Sequence, residues 1–203
     1  MKKVYLFRHG ETDWNNRTIT AYSPEVNDIE LNKKGLEQAI KNAEFLKDKG
    51  IQHIYASPLK RAYKTGEILA NLINVGIEVV ADLEEHRIDP VFCTGFSKDD
   101  MEEKFGKEDY YEFFNVRDGC MDKRAFNGET KREARERISK AIDSICKATT
   151  YDVIGIASHE FVLMELLRAS NFENDSRIRN CEVIEGEYCN GSLNIIERIC
   201  NEN

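Results

Sequence analysis

The sequence predicts an α/β protein, a three-layer α/β/α sandwich built on a mainly parallel sheet with a small inserted helical lobe. Short apolar runs at residues 4–7, 51–57, 76–81 and 151–157 alternate with segments whose apolar side chains recur at helical spacing. Each run is long enough for a strand and too short for a helix. Such alternation is typical of parallel strands joined by helices, and we expect a single domain over residues 1–203.

Two helices are expected to follow the first two strands. The first has Asn32 in the position of an N-cap and Gly50 just beyond its end. The second is expected to begin with Ser57 as its N-cap and Pro58 in its first turn, and to run to Asn74. The side chains expected to face the core from these helices are Leu36, Ala39, Ile40, Ala43, Leu46, Ala62, Leu69, Leu72 and Ile73.

Two segments between the expected elements have a different character. Residues 16–30 are polar and carry a turn signal at Ser23 and Pro24, so we expect a loop there. Residues 88–127 have weak periodicity but many aromatic side chains, which indicates a small, partly helical lobe. Most of these aromatics are expected to form the core of the lobe and a few to line a substrate pocket: Phe92, Phe96, Phe105, Tyr110, Tyr111, Phe113, Phe114 and Phe126.

Beyond residue 127, the sequence carries strong local signals. Thr130 and Glu133 have the spacing of a capping box, and residues 161–169 predict an apolar, buried helix. The helix that follows Thr130 is expected to bury Ala134, Ile138, Ala141, Ile142 and Ile145. Residues 181–184 and 192–199 alternate between apolar and polar, which predicts two closing strands at an edge of the sheet.

The composition is that of an ordinary folded chain and narrows the classes of partner. Of 203 residues, 41% are hydrophobic and 33% are charged, and the formal net charge is −8. Nucleic acids and anionic membranes attract positively charged proteins, so we expect neither as a partner. An anionic substrate would have to be held by a local cluster of arginines. The oligomeric state is left open by the sequence.

The cysteines and the N-terminal residues indicate in which cellular compartment the protein is expected. The six cysteines form no C-x-x-C pair, and the apolar stretch before Arg8 is too short for a secretory signal. No apolar run approaches the length of a membrane span. We therefore expect reduced thiols, a cytoplasmic location and no metal or other cofactor.

Four basic side chains are expected to meet at one edge of the sheet. The first strand ends at Arg8 and His9, the strand at 151–157 is followed by His159, and Arg61 lies in the first turn of the second helix. These side chains can converge because the carboxyl ends of parallel strands share one edge. Guanidinium groups hold phosphoryl oxygens through forked hydrogen bonds, and a neutral imidazole can attack phosphorus. The sequence therefore predicts a site for a phosphate dianion.

The motifs around these residues resemble those of the histidine phosphatase superfamily, the phosphoglycerate-mutase-like proteins. The first motif is Arg-His-Gly-Glu-Thr-x-Trp-Asn at 8–15, and the second is Ser-Pro-Leu-Lys-Arg-Ala at 57–62. Further matches are Asp-x-x-Leu-Asn-x-x-Gly at 28–35, Leu-x-Glu at 83–85, Gly-Glu-Thr at 128–130 and Ser-His at 158–159. The matches occur in the family's order.

The resemblance implies phosphoryl transfer in two steps on a small phosphorylated metabolite, without a metal. His9 is the implied nucleophile. Glu85 is the implied acid and base, because the family's spacing is Leu-x-Glu, and Glu84 is its rival. The implied ligands of the phosphoryl oxygens are Arg8, Asn15, Arg61 and His159. The remaining histidines, His53 and His86, are expected to be structural or exposed.

Three departures from the family pattern fall near the expected substrate. Ile19 and Thr20 stand where Gln-Gly is usual, and residues 93–95 read Cys-Thr-Gly where Trp-Glu-Gly is common. Glu160 stands where glycine usually follows the second histidine. A carboxylate is favoured at a helix N-terminus, but near a phosphate it would repel dianions or raise the pKa of His159. We expect a changed pocket for the leaving group.

Three functions remain open on this sequence. The leading hypothesis is a phosphomonoester phosphatase. A phosphoglycerate-type mutase would use the same nucleophile, but the segment after Glu85 lacks the Arg-x-Tyr-Gly pattern of the mutases. A non-catalytic phospho-ligand-binding protein of the same fold is weakly supported by the three departures and opposed by the presence of His9, Glu85 and both arginines.

Overall fold

Six strands form one mixed sheet at the centre of the computed structural model, which describes residues 1–107, 124, 126–170, 172 and 176–199. The strands are β1 (Lys2–Arg8), β2 (His53–Ala56), β3 (Gly76–Val79), β4 (Val153–Ser158), β5 (Val183–Cys189) and β6 (Ser192–Ile199). Their order across the sheet is β3-β2-β4-β1-β5-β6. The first four run parallel, and β5 and β6 add an antiparallel edge, which confirms the predicted fold class and the two closing strands.

Helices connect and cover these strands. Those that the structure describes are α1 (Pro24–Asn27), α2 (Lys33–Leu46), α3 (Lys60–Ile73), α4 (Lys98–Phe105), α5 (Lys131–Ala148) and α6 (Glu160–Ala169). A single 3₁₀ turn, Ala81–Leu83, follows β3. Within the described residues, no helix is long and apolar enough to cross a membrane.

The alternation of side chains along β1 divides the core into two layers. Val4 and Leu6 belong to the cluster formed with α5 and α6, whereas Tyr5 and Phe7 belong to the cluster formed with α2 and α3. Successive residues of a strand point to opposite faces, so one strand serves both layers. All four side chains are at most 2% exposed. The helices therefore cover both faces of the sheet, as predicted.

Two motif glycines allow the loop after β1 to approach α2. A Cβ atom on Gly10 would lie 2.3 Å from the carbonyl oxygen of Gly35, and one on Gly35 would lie 2.0 Å from that of Glu11. Both are backbone clashes that no side-chain rotation relieves. Gly35 of the 28–35 motif and Gly10 of the first motif therefore allow the loop that carries the site to pack closely against α2.

The beginning of α3 corrects one prediction. Its N-cap is Leu59, not Ser57, and Pro58 precedes the helix. The hydroxyl of Ser57 accepts a hydrogen bond from the Leu59 amide at 3.3 Å and lies 2.7 Å from Nε2 of His159. Ser57 therefore contacts a site residue instead of capping the helix.

The predicted core faces of α2 and α3 were partly wrong. Leu36, Ile40 and Leu72 are 37%, 53% and 46% exposed. The stripe that α2 buries consists of Gly35, Ala39, Asn42, Ala43 and Leu46. Ala39, Ala43 and Leu46 are buried as predicted, whereas Gly35 and Asn42 take the places expected for Leu36 and Ile40, which turn towards solvent. The capping box at Thr130 and the buried face of α5 are confirmed.

The segment expected to be a loop contains α1. Ser23 accepts a hydrogen bond from the Val26 amide, and Pro24 occupies the first helical position, so the two residues read as a turn begin a one-turn helix. In the expected lobe, Phe126 is buried and Phe92 is 54% exposed, so not all of the aromatics form its core. Tyr110, Tyr111, Phe113 and Phe114 lie outside the described residues.

Candidate active site

The parallel pairing of β1 with β4 brings the two site histidines together. Arg8 is level with Ser158 in the register, and the His9 amide donates to the Ser158 carbonyl at 3.1 Å. The next residue along each strand is a histidine, and the ring centroids of His9 and His159 lie 5.2 Å apart at 60°. The convergence predicted from the two apolar strands is present.

Neighbouring groups fix the orientation and the tautomer of His9. Its Nδ1 lies 2.7 Å from the carbonyl oxygen of Gly10, which only accepts, so Nδ1 carries the proton. Nε2 then has a lone pair, to which Nε of Arg61 donates at 3.3 Å. Burial, followed by the charges of Arg61 and Arg8, holds the pKa of His9 well below its usual range. His9 is therefore a neutral imidazole with its nucleophilic nitrogen on the side of Arg61.

His159 is fully buried beside His9. Nε2 lies 2.7 Å from the hydroxyl of Ser57, and Nδ1 is a buried nitrogen that has no hydrogen-bond partner among the residues that the structure describes. Burial, then the charges of Arg61 and Arg8, holds its pKa well below the ordinary value. The ring thus has Nε2 anchored to Ser57, while Nδ1 makes no hydrogen bond within the described residues.

The two arginines are fixed by backbone carbonyls. Arg8 donates from Nη1 to the Ile178 carbonyl at 2.6 Å, and its buried Nε has no hydrogen-bond partner in the described part of the chain. Arg61 donates from Nη1 to the Asn27 carbonyl, the last residue of α1, at 2.7 Å. Both side chains are largely buried, so their conformational entropy is already lost before an anion binds.

Glu85 is better placed than Glu84 to act on a ligand. Its Oε1 accepts from its neighbour's amide at 3.1 Å and from the Phe161 amide at 3.2 Å, at the start of α6. Burial raises the pKa of Glu85, which keeps the proton on its carboxyl to higher pH. Glu84 instead forms an ion pair with Arg87 at 3.0 Å and does not line the cavity.

Asn15 lies at the cavity with its carbonyl group turned to the protein. Its Oδ1 accepts from the Thr12 amide at 3.2 Å, the Thr12 hydroxyl at 3.1 Å and Nδ2 of Asn180 at 3.3 Å. These contacts assign Oδ1 as the acceptor and leave the amide nitrogen as the group that can donate to a ligand. Asn180 also donates to the His9 carbonyl at 3.0 Å.

Glu160 lies between two arginines. Its Oε2 is 3.2 Å from Nη1 of Arg8, and Arg177 holds it with a forked pair at 2.7 and 3.0 Å. The Glu160 side chain is 13% exposed, whereas that of Arg177 is 84% exposed. The departure from the family's usual glycine therefore puts a carboxylate beside the anion site.

A cavity of about 650 Å³ opens over these groups. Arg8, His9, Arg61 and Glu85 line it, and His159 is buried beside His9 without lining it. The lining also includes apolar side chains, among them Trp14, Met101, Phe126 and Met164, and charged ones, among them Arg17, Lys98, Asp99 and Glu102. Of the expected pocket aromatics, Phe126 is one that lines it.

Sequence reasoning missed several residues of the site. Ser57 was assigned to a helix cap, and Asn180 and Arg177 were not singled out at all. Tyr22 donates from its hydroxyl to the side-chain Oδ1 of Asn27 at 2.6 Å, and the backbone carbonyl of the same Asn27 holds Arg61. His86 was expected to be structural or exposed; it is buried, with Nε2 3.0 Å from the Glu129 carbonyl and its ring stacked on Phe161.

Fold and site together define an α/β protein in which two neutral histidines and two fixed arginines converge on one point at the edge of the sheet. The sequence model of the histidine phosphatase superfamily (branch 1) matches residues 4–201. The chain belongs to this superfamily, which confirms the resemblance seen in its motifs.

The chain is similar to curated relatives over most of its length. It is 32% identical to the probable phosphoglycerate mutase GpmB of Erwinia tasmaniensis, over 90% of this chain and 83% of the relative. It is 30% identical to the protein of the same name from Escherichia coli, over 93% of this chain and 86% of the relative.

Solved structures share the fold at lower identity. YhfR of Bacillus stearothermophilus superposes with a TM-score of 0.79 at 22% identity, covering 96% of this chain and 95% of that one. A phosphoserine phosphatase of Entamoeba histolytica, in complex with phosphoserine, gives 0.73 at 24%, covering 98% and 96%. A mycobacterial glucosyl-3-phosphoglycerate phosphatase gives 0.76 at 17%, covering 97% of each chain.

Proposed function

We propose that the protein is a phosphomonoester hydrolase that acts on a small phosphorylated metabolite through a phosphohistidine at His9. The observation that carries the proposal is the state of His9: Nδ1 is anchored on the Gly10 carbonyl, and Nε2 is a neutral acceptor beside two arginines. A buried neutral imidazole without hydrogen-bond partners to orient it would be a poor nucleophile. This one is held in a single tautomer next to groups that bind phosphate.

The first step transfers the phosphoryl group to His9. An incoming phosphoryl oxygen takes over the N–H that Arg61 donates to Nε2, which frees the lone pair. Nε2 forms a bond to phosphorus while the bond from phosphorus to the ester oxygen breaks. Glu85, whose pKa is raised by burial, gives its proton to the departing oxygen, so that an alcohol leaves.

The second step returns the enzyme to its starting state. The Glu85 carboxylate takes a proton from water, the water oxygen bonds to phosphorus, and the bond from phosphorus to Nε2 breaks. Inorganic phosphate leaves, and His9 is again neutral with its proton on Nδ1. Arg8, Arg61, the Asn15 amide and Nδ1 of His159 are the groups proposed to hold the phosphoryl oxygens throughout.

A phosphoglycerate-type mutase is the second candidate, and the names of the curated relatives favour it. A mutase would return the phosphoryl group from His9 to the substrate instead of to water. The deciding experiment supplies 3-phosphoglycerate and a panel of phosphorylated metabolites to purified protein. It measures inorganic phosphate and 2-phosphoglycerate in the same reactions, with His9→Asn as the control.

Release of phosphate without isomerisation supports the hydrolase. Formation of 2-phosphoglycerate at the higher rate would make the protein a mutase, and the absence of both from every substrate would favour a non-catalytic binding protein. The cytoplasmic location, and the absence of nucleic-acid and membrane partners, stay predictions of the sequence.

A further inference from the structure

Glu160 is the feature of the pocket that phosphoryl transfer does not use. A carboxylate at the first position of a helix is stabilised by the helix dipole, which accounts for the residue type. It does not account for the position of the side chain, which lies between Arg8 and Arg177 and lines the cavity. A negative charge 3.2 Å from an arginine of the anion site opposes the binding of further negative charge there.

Arg177 fixes this carboxylate in place. Two of its nitrogens donate to Glu160, Nε to Oε1 at 2.7 Å and Nη2 to Oε2 at 3.0 Å. A forked pair of this kind restricts the carboxylate to one orientation. Although the Arg177 side chain is mostly exposed, that of Glu160 is not, so the negative charge acts inside the cavity, where water screens it less.

Several cations lie close enough to Glu160 and to one another for their charges to interact. Burial lowers the pKa of Lys98, and the charges of Arg17, Arg177 and Arg8 lower it further, while Glu160 opposes them. Lys98 is itself held on the Trp14 carbonyl at 2.9 Å and lies over the Trp14 ring. Without Glu160, these cations would attract a second anionic group of the substrate. When Glu160 is present, its carboxylate already neutralises them in part, and a second anionic group must compete with it for the same cations.

We propose that Glu160, fixed by Arg177, selects the leaving group by its charge. The pocket disfavours a substrate that carries a second anionic group close to its phosphoryl group, and it favours one with a neutral or cationic group in that position. The proposal rests on the proposed function only in taking the cradle of Arg8, His9 and Arg61 to be a phosphoryl site.

The test measures the binding of three phosphonates that differ in one charge. Propylphosphonate, 2-aminoethylphosphonate and 3-phosphonopropionate present a neutral, a cationic and an anionic end at a similar distance from phosphorus. They are not hydrolysed, so calorimetric Kd values report selectivity whether or not the protein is a hydrolase. The proteins are wild type, Glu160→Gln, Arg177→Gln and Glu103→Gln. Glu103 is exposed on α4 and does not line the cavity, so its variant has the same change in net charge outside the pocket.

The two pocket variants are expected to act in opposite directions. Relative to propylphosphonate, Glu160→Gln should tighten the binding of 3-phosphonopropionate about fivefold and weaken that of 2-aminoethylphosphonate about fivefold. This is the effect expected when one unit charge is removed at roughly 8 Å from the charged end of the ligand in a partly hydrated site. Arg177→Gln leaves Glu160 less neutralised and shifts both ratios the other way. Glu103→Gln changes neither ratio.

Loss of structure would change all three Kd values alike and would leave their ratios unmoved. The proposal is overturned if both pocket variants shift the ratios in the same direction, if neither shifts them twofold, if Glu103→Gln shifts them as much, or if wild type binds none of the three. The proposed function fails on a different result, the absence of a phosphoenzyme.

Discussion

Arg61 donates from Nε to Nε2 of His9 across 3.3 Å, although the two residues are 52 positions apart in the chain. This contact joins the first and second sequence motifs at a single atom. The N–H group that contacts the lone pair of His9, the proposed nucleophile, is also the one that an incoming phosphoryl oxygen would use in the proposed mechanism. Arg61 is itself positioned by the carbonyl of Asn27, so the short helix α1 takes part in the site.

Replacement of Arg61 by lysine should reduce activity even though the charge is kept. Lysine cannot contact Asn27 and a phosphoryl oxygen with two fixed N–H groups at once. We expect kcat/KM for a phosphate ester to fall about 100-fold, with the midpoint of thermal unfolding changed little. Steady-state kinetics checks this, and a variant within threefold of wild type would contradict the role of the guanidinium.

Ser57 should matter because it is the partner of His159. Ser57→Ala leaves the buried Nε2 of His159 without a hydrogen bond and lets the ring rotate. An unsatisfied buried polar group costs about 1–3 kcal/mol of folding stability. A ring that leaves its position can no longer hold a phosphoryl oxygen, so kcat/KM should also fall by about tenfold or more. Ser139→Ala, at an exposed position of α5, is the matched control and should be neutral. Equal kinetics for the two variants would show that His159 needs no anchor.

The dependence of kcat/KM on pH should report His9 and Glu85. Burial and two arginines lower the pKa of His9, so loss of activity through its protonation begins only below pH 6.5, the ordinary value. Burial raises the pKa of Glu85 above the ordinary 4.5, and activity on an alkyl phosphate should fall as rising pH removes its proton. Glu85→Gln should lose this alkaline limb and about 10²–10⁴ in rate. An alkaline limb that persists in the variant would remove Glu85 as the acid.

The stability of the fold should fall in mild acid because of His86. Burial lowers its pKa to about 4 from the ordinary 6.5, so the unfolded state binds this proton first as the pH falls. The stabilisation is fully present above pH 6.5 and is lost as the pH falls towards 4, with a slope of about 1.4 kcal/mol per pH unit for one proton. His86→Gln should show a smaller slope in urea unfolding at pH 4 to 7, and identical slopes would contradict this assignment.

Structural features that depend on local or repeated sequence patterns could be predicted from the sequence alone. The apolar runs gave β1 and β4, and the placement of a histidine directly after each gave the centre of the site. The capping box at Thr130 was recognisable because both of its hydrogen bonds lie within four residues. Parallel strands then bring their carboxyl ends together without any further information.

The remainder depends on tertiary contacts. Ser57 is 102 positions from His159, and nothing near Ser57 distinguishes a helix cap from a histidine partner. The stripe that α2 buries is chosen by the sheet and α3, which is why Ile40 is exposed although it is apolar. The contact between Glu160 and Arg177 is also tertiary, since one residue begins a helix and the other lies in the segment before the closing strands.

The most direct test of the account is a search for phosphate on His9. Glu85→Gln should form the phosphoenzyme from p-nitrophenyl phosphate, whose leaving group needs little help from an acid, and should hydrolyse it slowly because the base is missing. Rapid quenching at alkaline pH, followed by mass spectrometry of the peptide that contains His9, detects it, with His9→Asn in the same background as the control. We predict one phosphoryl group on His9 that is stable in base and lost in acid. Steady release of phosphate with no label on His9 would contradict the proposed mechanism.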